Sequence, residues 1–88
     1  MKRFDLALPW LHKTLDVWEI QYGPEHPNTM IVCGHISSAY CSLNAYEKAL
    51  EYSSRVAAAT EKAYGPEHAD TLRATALIAK IKALLEQP

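Results

Sequence analysis

The stretch YGPEHPNT at residues 22–29 occurs a second time, as YGPEHADT, at residues 64–71. The two copies begin 42 residues apart and share six of their eight residues. Each copy contains a glycine and a proline, the residues that end a helix and prevent its continuation. A repeat of this length in a short chain predicts stacked helical hairpins, each burying its apolar face against its neighbours.

The same offset relates residues that lie outside the repeated stretch. The matched positions are Phe4 with Tyr46, Asp5 with Glu47, Ala7 and Leu8 with Ala49 and Leu50, Lys13 with Arg55, Glu19 with Glu61, and Ile36 with Ile78. An ordered series at one offset indicates that the helices repeat as well as the turns. We expect four helices, over residues 3–22, 29–43, 45–64 and 70–86.

The expected helices carry further local signals. Asn44 is the expected N-cap of the third helix, with Glu47 three residues later in a capping box. Pro9 is expected to bend the first helix without ending it. We expect the helices to pack around Leu11, Leu15, Ile36, Ala39, Tyr40, Ala49, Leu50, Val56 and Ile78.

Composition bounds the class of protein. Eighty-eight residues form one small domain, and a formal net charge of −1 with a pI of about 6.4 provides no basic surface for nucleic acid or anionic membrane. No apolar run approaches the roughly 20 residues that span a bilayer. Cys33 and Cys41 would lie roughly 12 Å apart on one helix, too far for a disulfide. We therefore expect a cytoplasmic protein with reduced cysteines and no membrane or nucleic-acid partner.

The repeat resembles the 42-residue tetratricopeptide repeats of kinesin light chains. The resemblance is carried by HPN at 26–28, AY at 39–40, YEKAL at 46–50 and EKAYGPEH at 61–68. It implies an all-α fold, a short α-solenoid of four helices in the order B-A-B-A. In place of the asparagine pair usual in the middle of helix A, this chain has Gly34-His35 and Ala76-Leu77.

The resemblance also implies a division of the single domain 1–88. Residues 1–23 would be helix B of a partial repeat, residues 24–65 a complete repeat, and residues 66–88 a C-terminal capping helix A. That last helix is expected to bury one apolar stripe, comprising Ala74, Leu77, Ile78, Ile81, Leu84 and Leu85, and to keep a polar outer side.

In such arrays the A helices line a concave groove that binds extended peptides. The expected lining is Ile31, Gly34, His35, Ser38 and Cys41 from the second helix, with Arg73, Ala76 and Lys80 from the fourth. Arg73 and Lys80 are the only charges on this strip, which favours a ligand with an acidic side chain or terminal carboxylate. The alternative is that the strip is simply a solvated face.

The first helix is apolar on two opposite sides. One side carries Phe4, Leu8, Leu11, Leu15, Trp18 and Tyr22, and the other carries Leu6, Trp10, Val17 and Ile20. A helix with two apolar faces is normally buried on both. We therefore expect self-association through the second face, most simply as a homodimer that pairs the first helices about a two-fold axis. Domain swapping is a variant, and a longer parent chain that supplies a covering helix is the rival.

The sequence contains no motif for catalysis, metal binding or a cofactor. His-x-x-x-His, Cys-x-x-Cys, phosphate-loop and nucleophile-elbow patterns are absent. His26 and His68 occupy equivalent turn positions, where histidine is expected to hydrogen-bond the local backbone. The sequence favours a non-enzymatic adaptor or scaffold that binds a protein or peptide. The alternative is a helical regulatory or oligomerisation appendage of a larger enzyme or ATPase.

Overall fold

The computed structural model describes the backbone of residues 4–87 and the side chains of residues 6–87. This part of the chain forms four α-helices and no strand: α1 Phe4–Tyr22, α2 Pro27–Ser42, α3 Tyr46–Tyr64 and α4 Ala69–Leu85. Each helix packs on the next, α1 on α2, α2 on α3 and α3 on α4. The predicted all-α solenoid of helical hairpins is confirmed. Arg3, the predicted start of the first helix, lies outside the described residues.

The two copies of the repeated stretch form the same corner. Gly23 and Gly65 adopt φ values of +97° and +92°. Residues other than glycine rarely adopt such positive φ values. The rings of Tyr22 and Tyr64 each stack on the histidine four residues later, with ring centroids 4.7 Å apart in both corners. The repeated letters therefore encode a repeated turn between successive hairpins.

The histidine of each corner caps the following helix. Nδ1 of His26 accepts a hydrogen bond from the backbone N–H of Asn28, and Nδ1 of His68 accepts one from Asp70, both at 3.1 Å. The expectation of local backbone bonding is confirmed. Because His26 is the cap, α2 begins at Pro27, two residues before the predicted start. Proline fits this first position, where its missing N–H leaves no helical bond unmade.

The turn between α2 and α3 differs from the prediction. Asn44 is not the N-cap of α3; that position is Ala45, which makes no side-chain capping bond, so the capping box with Glu47 does not form. Asn44 instead adopts φ +62° and closes α2. The N–H of Ala45 donates to the carbonyl of Tyr40 at 2.8 Å, and that of Asn44 donates to the carbonyl of Cys41 at 3.0 Å. This is a Schellman motif, and asparagine supports it because its short side chain tolerates the left-handed region.

The core lies where α1, α2 and α3 meet. Its central cluster is formed by Leu15, Val32, Cys33 and Ile36. Of the predicted packing residues, Leu15, Ile36, Ala39 and Ala49 are buried, and Leu11, Tyr40, Leu50, Val56 and Ile78 are half-buried. The helix α1 continues through Pro9, as predicted.

The crossing of α2 and α3 contains two buried hydroxyl groups, those of Ser37 and Ser53. Ser37 Oγ donates to the carbonyl oxygen of Ala49 at 2.9 Å and also hydrogen-bonds Ser53 Oγ. All three residues are buried. Because each hydroxyl is satisfied, the two helices approach closely at small side chains without leaving a polar group unpaired.

Helix α4 is more exposed than its sequence predicts. Of the stripe expected to be buried, Ile81 is buried, whereas Leu77 and Leu85 are exposed. Leu72, on the side expected to be polar, is 54% exposed. The expected polar outer side is therefore wrong at Leu72, because α4 packs chiefly on α3 and Leu72 lies away from that contact.

Candidate functional site

A groove lies between α2 and α4, the two helices that flank α3. It encloses about 270 Å³ and is lined by Ser37, Ser38, Cys41, Tyr46, Leu77, Lys80, Ile81 and Leu84. We call this cavity the α2/α4 groove. Three of the residues predicted from sequence, Ser38, Cys41 and Lys80, are brought together here.

The α2/α4 groove combines an apolar lining with one cation. Lys80 provides the charge, Leu77 and Leu84 provide apolar surface, and Ser38 provides a hydroxyl group. Burial raises the pKa of the Cys41 thiol, and the nearby ammonium of Lys80 lowers it by less. Cys41 is therefore a neutral thiol at pH 7. The α2/α4 groove therefore places one positive charge beside apolar surface.

The other predicted groove residues lie outside this cavity. Ile31 lines a second cavity of about 440 Å³ beside Tyr64 and Asp70, at the opposite end of α2. Arg73 is exposed but forms an ion pair with Asp70 on its own helix. The remaining predicted positions, Gly34, His35 and Ala76, line neither cavity.

Sequence reasoning missed five lining residues of the α2/α4 groove. Leu77, Ile81 and Leu84 were predicted for the buried stripe of α4. Ser37 and Tyr46 were not predicted for this surface. One signal in the sequence indicated that Leu77 is exposed. Leu77 matches His35 at the 42-residue offset, and His35 is exposed on α2.

The second candidate surface is the apolar side of α1. We call Leu6, Trp10, Val17 and Ile20 the α1 stripe. All four are exposed, with Trp10 at 73% and Ile20 at 89%. No described helix covers them, so the α1 stripe is an exposed apolar patch of the kind that marks interaction sites.

The described residues show no constellation for catalysis or metal binding. Among residues 6–87, no group of three or more histidine, cysteine or acidic side chains could hold a metal ion. His12 Nε2 lies 3.0 Å from the hydroxyl of Tyr40, within the helix packing. Burial raises the pKa of the Cys33 thiol, which lies in the core. In the described part of the chain, none of the helices has the length and hydropathy that a membrane span requires.

Comparison with known proteins gave one match. The family model described as the tetratricopeptide repeat matches residues 1–59, which include α1, α2 and most of α3. No curated protein and no solved structure matched the chain.

Proposed function

This chain belongs to the tetratricopeptide repeat family, a protein-interaction fold, and we propose that it acts as a non-enzymatic adaptor or scaffold in the cytoplasm. The proposed ligand is an extended peptide, or a segment of a partner protein, that carries a carboxylate. The observation that carries this proposal is the α2/α4 groove, where Lys80 stands beside apolar side chains.

We also propose the kinesin-light-chain type of repeat and the division of the chain that it implies. Residues 24–65 are then a complete repeat, with α2 as helix A and α3 as helix B. Residues 1–23 contain helix B of a partial repeat, and residues 66–88 contain a terminal helix A. The 42-residue register and the identical corners at Gly23 and Gly65 support this division.

The proposed peptide contact depends more on Lys80 than on Arg73. Lys80 lines the α2/α4 groove, and within the described residues it has no carboxylate at ion-pair distance. Arg73 is already paired with Asp70, which neutralises much of its attraction for a ligand. An exposed ammonium beside apolar surface favours a peptide with a terminal carboxylate or an acidic side chain.

A peptide-binding experiment tests the α2/α4 groove. Two pools of fluorescein-labelled apolar octapeptides, one with a free C-terminus and one with an amidated C-terminus, are compared by fluorescence polarisation. We expect the pool with the free carboxylate to bind more tightly, and its binding to weaken as the salt concentration rises. Replacing Lys80 with alanine should weaken binding by about tenfold or more, the loss of a charged hydrogen bond, and Arg73→Ala should weaken it less.

Lys62→Ala is the matched control for this experiment. Lys62 is an exposed lysine on α3, paired with Glu25 and outside the groove, so its loss should leave peptide binding unchanged. Undiminished binding by the double variant Arg73→Ala, Lys80→Ala contradicts the groove proposal. Equal binding of the free and amidated peptides contradicts the carboxylate preference.

We further propose that the protein self-associates through the α1 stripe, with a homodimer as the smallest assembly. Burying large apolar side chains is favourable by roughly 1.5–3 kcal/mol each when burial is complete. The α1 stripe contains four such residues, all exposed in one copy. Sedimentation at micromolar concentration should show an assembly larger than the monomer, and Trp10→Glu should shift it to the monomer. A monomeric wild type at all concentrations contradicts self-association.

A further inference from the structure

We propose that copies of this chain join head to tail, with α4 of one copy covering the α1 stripe of the next as α2 covers α3 within a copy. This rests on the self-association proposed above and names the surface that meets the α1 stripe. The outer face of α4 consists of Leu72, Ala79 and Lys82, all exposed. The joint would continue the solenoid with its own 42-residue register.

The α1 stripe is the counterpart of the α3 face that packs on α2. Trp10 corresponds to Tyr52, whose ring stacks on Tyr40 of α2 with centroids 6.0 Å apart. Leu6 corresponds to Lys48, whose Nζ lies 5.8 Å from the centroid of the same Tyr40 ring. Half of the α1 stripe therefore occupies positions that, in α3, contact α2.

The other half of the α1 stripe follows the same rule. Val17 corresponds to Ala59, which is buried and lines the cavities that Met30 of α2 also lines. Ile20 corresponds to Lys62, whose ammonium lies 3.1 Å from the carboxylate of Glu25, in the corner before α2. In α3, all four matching positions thus face α2 or the corner before it. A helix equivalent to α2 would therefore cover the α1 stripe.

Helix α4 is of the α2 type, and the matching face is open. The α2 residues that meet α3 include Met30, Ser37 and Tyr40, which correspond to Leu72, Ala79 and Lys82. In the joint, Leu72 would lie against Val17 of the next copy, and Lys82 would lie over the ring of Trp10, a cation–π arrangement.

The two buried serines at the α2/α3 crossing correspond to apolar residues on both sides of the proposed joint. Within a copy, the hydroxyl groups of Ser37 and Ser53 hydrogen-bond each other. Their counterparts at the joint are Ala79 of one copy and Leu11 of the next. Both are apolar, so neither side would bury an unpaired hydroxyl group.

The charges also match across the joint. Within a copy, Arg55 of α3 forms an ion pair with Glu19 of α1 at 2.5 Å. At the 42-residue offset, Arg55 corresponds to Lys13 and Glu19 corresponds to Glu61. In the joint these two residues would come from the next copy and the first copy, respectively. Both are exposed and of opposite charge, so the joint preserves an ion pair that already links α3 to α1.

A two-fold dimer, the simplest assembly expected from the sequence, would leave some of these residues without a partner. Pairing α1 with α1 would leave Leu72 in solvent and give Glu61 no partner at the interface. A head-to-tail joint is heterologous, so each pair of copies keeps one α1 stripe and one α4 face free for further copies.

Mixing two variants that each block one side of the joint tests the proposal. Trp10→Glu removes the α1 side, and Leu72→Glu removes the α4 side; both residues are exposed, so the monomer fold should persist, as circular dichroism will show. We expect the self-association affinity of each variant to fall by about thirtyfold or more, the effect of replacing a central interface residue. A mixture should form a 1:1 complex that does not grow, because one intact face remains on each variant.

Ile31→Glu is the matched control, because it places the same charge at an exposed apolar residue outside the joint. Self-association like that of the wild type should persist in this control. Charge reversal gives a second readout: Lys13→Glu and Glu61→Lys should each weaken association, and the two changes in one chain should restore it.

The outcomes separate the two proposals. If Leu72→Glu associates like the wild type, or the mixture contains only monomers, the head-to-tail joint is overturned while self-association through α1 stands. If the wild type is monomeric at every concentration, both are overturned and peptide binding in the α2/α4 groove is unaffected.

Discussion

Replacing Ile36 with alanine should lower the free energy of unfolding by about 2–5 kcal/mol, the range for removing a large aliphatic side chain from a packed core. Ile36 is fully buried in the cluster that joins α1, α2 and α3. Its loss leaves a cavity that helices on both sides cannot fill without moving. Thermal and urea unfolding followed by circular dichroism measure the change.

Ile31→Ala is the control for Ile36, since it makes the same truncation on the same helix at an exposed position. Its effect should lie within about 0.5 kcal/mol, as for most surface substitutions. A domain of this size has a stability of only about 4–13 kcal/mol. If both variants unfold at the same urea concentration, Ile36 is not in a shared core and the packing described above is contradicted.

Replacing Ala49 with leucine should destabilise the protein by about 1–3 kcal/mol, the cost of inserting carbons into a packed interior. Ala49 is fully buried at the crossing of α2 and α3, and its carbonyl oxygen accepts the hydrogen bond from Ser37. A larger side chain would push the helices apart and strain the hydroxyl pair of Ser37 and Ser53. Urea unfolding gives the change in free energy.

The matched control for Ala49 is Ala58→Leu, the same substitution at an exposed position on α3. It should change the free energy of unfolding by no more than about 0.5 kcal/mol. Unchanged stability in Ala49→Leu would mean that α3 does not approach α2 as closely as described.

The groove illustrates how far sequence reasoning reached. Ser38, Cys41 and Lys80 were predicted from repeat position and do line the α2/α4 groove. The ion pair that occupies Arg73 was not predicted, because a strip of repeat positions does not show which charges neutralise each other. Leu77 was assigned to the core, because helical periodicity identifies an apolar side chain without showing whether a neighbouring helix covers it.

The turns show the same contrast. The corners at Gly23 and Gly65 and the local backbone bonds of the two histidines follow from a few consecutive residues, and the sequence predicted them. It did not predict that these histidines cap the following helices. At Asn44 a local signal suited two roles, the start of α3 or the end of α2. The two bonds to the carbonyls of Tyr40 and Cys41 made it the end of α2.

The sequence by itself determined that this protein consists of four repeating helices, where they turn, and that α1 is apolar on two sides. These properties depend on backbone preferences and on side-chain order within one or two turns of helix. Only the tertiary structure decided that the α1 stripe, Leu72 and Leu77 are exposed, and that Ser37 and Ser53 meet. Burial and pairing depend on which helix faces approach each other, and packing between helices decides that, not the order of residues within one helix.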